Sequence, residues 1–136
     1  MMVIDASAAI GMVRAGADGA ATARLIADCE KTIAPEFFCE EAAQVAWKYA
    51  HIGVLDCAGA FDMMRATVGC VDEFFSNRSL AEEALAEAVR LDHSLYDMLY
   101  FVLARRTASL LLTCDHQLAR LCNDNNVECI ELIDFA

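Results

Sequence analysis

The sequence predicts an α/β fold, a three-layer sandwich with a parallel sheet, formed by one domain over residues 1–136. Short apolar runs alternate along the chain with longer segments of helical periodicity, which is typical of strands joined by crossover helices. A chain of 136 residues is long enough for one hydrophobic core, and it has one proline and no repeat or low-complexity linker. Right-handed crossovers then place helices on both faces of the sheet.

Short apolar segments bounded by polar residues predict the strands. They lie over residues 2–4, 31–34, 72–75, 109–113 and 127–132. The first is followed by Asp5, and the fourth contains three consecutive leucines. In parallel α/β sheets, ligands bind beyond the carboxyl ends of the strands, near the point where strand order reverses. The residues that follow the first and fourth strands are therefore candidates for a site.

Helical spacing of apolar residues and helix-boundary signals predict the helices. They lie over residues 6–15, 20–29, 35–52, 55–69, 79–91, 94–106 and 115–125. Pro35 is suited to the first turn of a helix and Gly53 to the position after the last, so these two residues bound the third helix. The segment 94–106 is apolar nearly all round, which predicts a helix at the centre of the fold.

The net charge of −11 argues against a simple polyanion binder, because affinity for a phosphate backbone comes mainly from lysine and arginine. A nucleic-acid ligand would need a local positive patch. The candidates are Lys48, Arg105, Arg106, Arg120 and Arg14. Of these we expect Lys48, Arg105 and Arg106 to bind substrate, although a solvated helix face also explains each of them.

The seven cysteines include no Cys-x-x-Cys pair and indicate small apolar residues in a reducing compartment. A zinc site from Cys114, His116 and Cys122 is an alternative, but its spacing matches no common zinc pattern. The longest strongly apolar stretch, residues 98–104, is too short to span a bilayer, and no secretory signal is recognisable. We expect a cytoplasmic protein with no membrane partner.

Four acidic residues stand in apolar surroundings, where a carboxylate is costly unless a partner compensates it. They are Asp5, Glu41, Asp97 and Asp115. Asp5 and Asp115 follow predicted strands and are suited to capping the next helix, and Ser94 with Asp97 matches a capping box. Capping and a functional site are both open interpretations for these three acids.

Glu41 is harder to explain by capping. On a helix, Glu41 shares its face with Phe38 and Val45, whereas the neighbouring Glu40 shares its side with Glu36. We therefore expect Glu41 to point inward and Glu40 to point to solvent. Two acids at strand ends and two on inward helical faces would then converge at one end of the sheet.

Convergent carboxylates repel each other. At about 4 Å and an effective dielectric constant of about 20, each pair costs on the order of 4 kcal/mol. Such a cluster persists by protonation or by binding a cation, and oxygen ligands without histidine favour Mg²⁺ or Mn²⁺ over zinc or copper. A metal-bound water can serve as the nucleophile for phosphodiester hydrolysis.

The four acids lie in four segments that extend over nearly the whole chain. These are Val3-Ile4-Asp5-Ala6-Ser7, Ala34-Pro35-Glu36 through Glu41-Ala42-Ala43, Leu95-Tyr96-Asp97, and Leu112-Thr113-Cys114-Asp115-His116-Gln117-Leu118. In order and spacing they resemble the motifs of PIN-domain ribonucleases, and most closely those of the VapC-type toxins of prokaryotic toxin-antitoxin pairs.

The resemblance implies a five-stranded parallel sheet, a Mg²⁺ or Mn²⁺ site, endonucleolytic cleavage of RNA, a homodimer and a small antitoxin partner. It assigns the family's acidic quartet to Asp5, Glu41, Asp97 and Asp115, with Asp5 and Asp97 holding the principal ion. Thr113 matches the hydroxyl residue beside the last acid. Many relatives carry a further acid just after Asp115, but His116 and Gln117 stand there in this chain. Whether the site holds one metal ion or two therefore remains open.

Two other functions are open. A phosphohydrolase of the haloacid dehalogenase type also begins with a strand-end aspartate, but it needs an Asp-x-Asp pair, and Ser7 stands at the second position. A PIN-like module that only binds a partner is the non-enzymatic alternative. The four acids argue against it, because a scaffold has no need to hold carboxylates that repel one another.

Overall fold

The computed structural model describes residues 1–15, 26, 28 and 31–133. Within these residues the strands are β1 Met2–Ile4, β2 Thr32–Pro35, β3 Glu73–Phe75, β4 Leu110–Thr113 and β5 Cys129–Glu131. The helices are α1 Ala6–Ala15, α2 Phe37–His51, α3 Cys57–Val68, α4 Asn77–Leu91, α5 Leu95–Thr107 and α6 His116–Asp124. They form an α/β three-layer sandwich around an all-parallel sheet of five strands, which confirms the predicted fold class.

The central strand of the sheet is β1, and the strand order is β3-β2-β1-β4-β5. Val3 pairs with Ile33 of β2 on one side and with Leu111 of β4 on the other. The chain proceeds outward from β1 through β2 to β3 and then returns to the opposite side of β1. The strand order therefore reverses between β1 and β4, and Asp5 and Thr113 stand at the carboxyl edge beside this reversal.

The core lies between the sheet and the helices that cover it. Every residue of β1 is buried, as is the segment Met98–Ala104 of α5, in agreement with a helix that is apolar all round. Helix α5 packs against β1, β2 and β4, while α2 buries one face through Phe38, Ala42 and Ala46. Core packing thus fixes the two helices that carry Glu41 and Asp97.

Pro35 belongs to a strand and not, as predicted, to a helix. It ends β2 opposite Phe75, and the helix begins at Phe37. Proline fits this position because the next residue, Glu36, supplies the N–H that bonds to the Phe75 carbonyl at 2.9 Å. The other described elements begin and end within two residues of their predicted bounds. The helix predicted over residues 20–29 lies, except for Ile26 and Asp28, outside the described residues.

None of the helices in the described part of the chain has both the length and the apolar character that crossing a bilayer requires.

Candidate active site

Asp5 is buried at the end of the central strand β1, with only 6% of its surface exposed. Its Oδ1 accepts hydrogen bonds from Ser7 Oγ at 2.7 Å and from Ala8 N at 2.9 Å, and its Oδ2 accepts one from the Thr113 hydroxyl. The bond from Ala8 caps α1, so Asp5 is both a helix cap and a candidate site residue. Burial raises the pKa of Asp5 from 3.8 to about 6, although these hydrogen bonds oppose the rise.

Glu41 points toward α5, in agreement with the helical-face prediction. It is half-buried, whereas the neighbouring Glu40 is exposed. The Tyr100 hydroxyl donates a hydrogen bond of 2.5 Å to Glu41 Oε1 and so joins α5 to α2. Burial raises the pKa of Glu41 from 4.5 to about 7, and the charges of Asp5 and Asp97 contribute to the rise. The hydrogen bond from Tyr100 acts in the opposite direction.

Asp97 lies in the first turn of α5, and its Oδ2 is 2.8 Å from His93 Nε2. Ser94 is the N-cap residue of this helix but makes no side-chain capping bond, so the capping box considered from the sequence is not formed. The charge of Asp97 raises the pKa of both Asp5 and Glu41. These three residues, which we call the acidic triad, are therefore close enough to repel one another.

Thr113 and Asp115 connect the end of β4 to α6. Thr113 is fully buried, and besides donating to Asp5 its hydroxyl accepts a hydrogen bond from Asp115 N at 3.0 Å. Asp115 Oδ1 accepts bonds from the backbone N–H groups of Gln117 and Leu118, at 2.8 and 3.2 Å, and caps α6. Asp115 is thus a helix cap whose backbone N–H is linked to Asp5 through the Thr113 hydroxyl.

An open cavity of about 570 Å³ adjoins the acidic triad. Its wall includes Ser7, Glu40, Glu41, Lys48 and Tyr96. Glu40 is exposed and lies on the rim of this cavity. Both are possible because the cavity is open and its rim consists of solvent-facing side chains. Glu40 thus points to solvent, as predicted, while Glu41 is the more buried of the two.

Only one of the three predicted substrate-binding cations, Lys48, lines this cavity. Arg105 and Arg106 stand in the last turn of α5, about 12 Å along the helix from Asp97 in its first turn. Both form ion pairs of 2.6 Å with Glu83 on α4. The structure does not bring Arg105 and Arg106 to the acidic triad, and their charges are compensated where they stand.

The acidic triad keeps oxygen positions that a cation can use. Among the described residues, no hydrogen bond reaches Glu41 Oε2 or Asp97 Oδ1, and Asp5 uses three of about four lone-pair positions. The described chain contains no preformed group of three or more histidine, cysteine or acidic residues for a metal. Mg²⁺ needs no such cage, since it retains several waters and binds through one or two carboxylates. The donor set fits Mg²⁺ or Mn²⁺.

The alternative zinc site is not formed. Cys114, His116 and Cys122 are all described and do not gather into a metal-binding group. His116 Nδ1 instead lies 2.9 Å from Glu131 Oε2, and Cys122 is fully buried in the core.

Three polar partners of the triad receive no role from the sequence alone: Ser7, His93 and Tyr100. Their spacing from the acids indicated that they lie near the site. Ser7 follows Asp5 by two positions, while His93 and Tyr100 lie four before and three after Asp97. A tyrosine within a helix that is apolar all round also needs a partner for its hydroxyl when it is buried. That requirement pointed to a polar group opposite Tyr100.

No family model and no curated protein sequence match the chain. The crystal structure of PAE2754 from Pyrobaculum aerophilum is similar to it, with a TM-score of 0.70 and 25% sequence identity. The similarity covers 88% of this chain and 84% of that chain. It therefore extends over most of both folds and supports the α/β architecture described above.

Proposed function

We propose that this chain is a metal-dependent endoribonuclease that hydrolyses phosphodiester bonds of RNA with Mg²⁺ or Mn²⁺. The observation that carries the proposal is the acidic triad at the carboxyl edge of the sheet. Burial and mutual repulsion raise the pKa of Asp5 to about 6 and that of Glu41 to about 7. Such an arrangement destabilises a metal-free protein near neutral pH, and a divalent cation relieves the repulsion.

Asp5 and Asp97 would hold the principal ion, and Glu41 would orient its waters. A bound Mg²⁺ or Mn²⁺ would supply an activated water for in-line attack on phosphorus and would stabilise negative charge on the phosphate oxygens. Asp115 Oδ2 takes no part in the bonds that cap α6, so this oxygen would support a second ion.

The polar partners of the triad hold its acids in position. Hydrogen bonds from Thr113 and Ser7 to Asp5, and from Tyr100 to Glu41, favour the ionised carboxylates. Each bond therefore helps an acid to exchange its proton for a cation. Lys48, on the cavity wall, would neutralise a phosphate of the RNA.

We further propose that the chain is the toxin of a VapBC-type toxin-antitoxin module, as its motifs imply. The net charge of −11 supports a substrate groove that is completed in a homodimer, because one lysine on the cavity wall neutralises little of an RNA backbone. The antitoxin would be a small protein that blocks the acidic triad. An adjacent short reading frame with a DNA-binding amino terminus and an arginine-containing tail would support this assignment.

Cleavage of RNA by purified variants tests the proposed activity. Asp97→Asn removes one charge of the triad, and Asp92→Asn is its matched control, five positions earlier in the chain. Asp92 is exposed and has φ of 50°, a conformation that asparagine also adopts readily. We expect products with 5′-phosphate and 3′-hydroxyl ends from the wild type with Mg²⁺ or Mn²⁺. Cleavage should be lost in Asp97→Asn and retained in Asp92→Asn.

Two other results would refute the proposal. If the wild type cleaves no RNA with either metal, the non-enzymatic alternative, a PIN-like module that only binds a partner, is favoured. If it hydrolyses small phosphate esters and not RNA, the alternative function of a haloacid-dehalogenase-type phosphohydrolase is favoured.

A further inference from the structure

Tyr96 presents an exposed aromatic face at the cavity beside the acidic triad. Its ring stacks on that of Phe37, with the ring centroids 4.6 Å apart and an angle of 15° between the planes. One face of Tyr96 is thus covered, yet the residue is 56% exposed, so its other face is open. Tyr96 lines the same cavity as Glu41 and Lys48.

The stack holds this ring on a rigid support. Phe37 is the first residue of α2, and its N–H donates a hydrogen bond of 3.0 Å to Asn77 Oδ1. Tyr96 is the second residue of α5, the helix whose centre is buried against the sheet. A ring that is already held in one orientation loses little conformational freedom when a ligand stacks on it.

The surroundings of the ring suit a nucleotide. Lys48 is exposed and makes no ion pair with any of the residues that the structure describes, which leaves its ammonium group available to a phosphate. Glu40 and Gln44 place polar groups on the same cavity wall. A planar base can stack on Tyr96 while an adjoining phosphate approaches Lys48, the combination by which proteins bind single-stranded nucleic acid. In a duplex the neighbouring base pairs already cover the faces of each base, so this contact requires an unpaired base.

We propose that the open face of Tyr96 stacks with an unpaired base of single-stranded RNA and positions the adjoining phosphodiester at the acidic triad. The inference rests on the ribonuclease function proposed above. It makes Tyr96, which is not one of the four acids, a substrate-binding residue.

Fluorescence anisotropy with a short, fluorescein-labelled single-stranded oligoribonucleotide tests this contact in the presence of EDTA, so that binding is measured without cleavage. The variants are Tyr96→Ala, Tyr96→Leu and Tyr96→Phe. Leucine retains apolar packing on Phe37 but has no aromatic face, whereas phenylalanine retains the face. Phe61→Ala is the matched control, because Phe61 is 53% exposed and lines a different groove, between α2 and α3.

We expect Tyr96→Ala and Tyr96→Leu to weaken binding roughly 5- to 100-fold, as measured for the loss of one base–aromatic stack. Tyr96→Phe and Phe61→Ala should bind within twofold of the wild type, and a duplex of the same sequence should bind equally to all variants. Thermal melts establish that each variant is folded.

The two proposals fail in different ways. If the wild type binds the oligoribonucleotide and Tyr96→Leu binds it equally well, the stacking inference is wrong while the ribonuclease proposal stands. If the folded wild type binds no single-stranded RNA even at low salt, the stacking inference is contradicted, and the cleavage assay with Mg²⁺ or Mn²⁺ decides the ribonuclease proposal separately.

Discussion

The acidic triad makes the stability of the metal-free protein depend on pH in a direction opposite to that of an ordinary salt-bridged acid. The pKa of Asp5 rises from 3.8 to about 6 on folding, and that of Glu41 rises from 4.5 to about 7. Between these values the folded state binds more protons than the unfolded state, so the free energy of unfolding falls as pH increases. The loss begins near pH 4 and is complete above about pH 8, where both acids are ionised in both states.

The magnitude for Asp5 alone follows from its pKa. A rise of about two pH units corresponds to roughly 3 kcal/mol, because one unit is worth about 1.4 kcal/mol. Asp5→Asn removes this cost and also lowers the repulsion on Glu41. The asparagine carbonyl still accepts the bonds from Ser7 and Ala8, so the cap on α1 is retained. The asparagine NH2 group cannot accept the bond from Thr113, and the loss of that bond lowers stability by a similar amount at every pH. The free energy of unfolding of the variant, relative to that of the wild type, should therefore increase by roughly 3 kcal/mol between pH 4 and pH 8.

Urea unfolding in EDTA at several pH values measures this difference. Subtracting the wild-type value at each pH removes contributions from groups that the two proteins share, and Asp92→Asn provides a control for the loss of one negative charge. A difference that stays constant from pH 4 to pH 8 would refute the idea that the carboxylates of the acidic triad repel one another in the metal-free protein.

Three further predictions concern single side chains. Glu41→Gln should reduce RNA cleavage by roughly 100-fold, whereas Glu82→Gln, an exposed glutamate on α4, should change it by less than about threefold in the same assay. Tyr100→Phe should lower the free energy of unfolding by about 1–3 kcal/mol in urea, because it removes a hydrogen bond to a half-buried carboxyl; no change would contradict that bond. Lys48→Gln should reduce the slope of log affinity for single-stranded RNA against log salt by about 0.7, and Arg106→Gln should leave it unchanged; equal effects would contradict the placement of these two cations.

The fold and the inward side of Glu41 could be predicted because they depend on local patterns. The leucines of β4 and the all-round apolar segment of α5 each specify burial without knowledge of the partner. Likewise, the direction of Glu41 follows from 100° per residue around a helix and the position of Phe38. These features fix strand ends and helix faces, so the convergence of Asp5, Glu41 and Asp97 could be predicted as well.

Pairings between distant parts of the chain could not be predicted in the same way. Arg106 bonds to Glu83 and Tyr100 bonds to Glu41 across separations of 23 and 59 residues, and each pairing depends on how two helices pack. The sequence also leaves open whether Asp115 caps a helix or faces the triad, because an acid after a strand is suited to both. Its bonds to Gln117 and Leu118 show that it caps α6.

Direct binding of Mn²⁺, measured by isothermal titration calorimetry near pH 7.5, tests the central claim that the acidic triad is a metal site. The wild type and the Asp92→Asn control should bind Mn²⁺ with the same affinity and release protons, because Asp5 and Glu41 must ionise fully. Asp97→Asn should bind at least about tenfold more weakly, a loss of about 1.4 kcal/mol or more. Equal binding by all three proteins, or no binding by the folded wild type at millimolar Mn²⁺, would contradict the account.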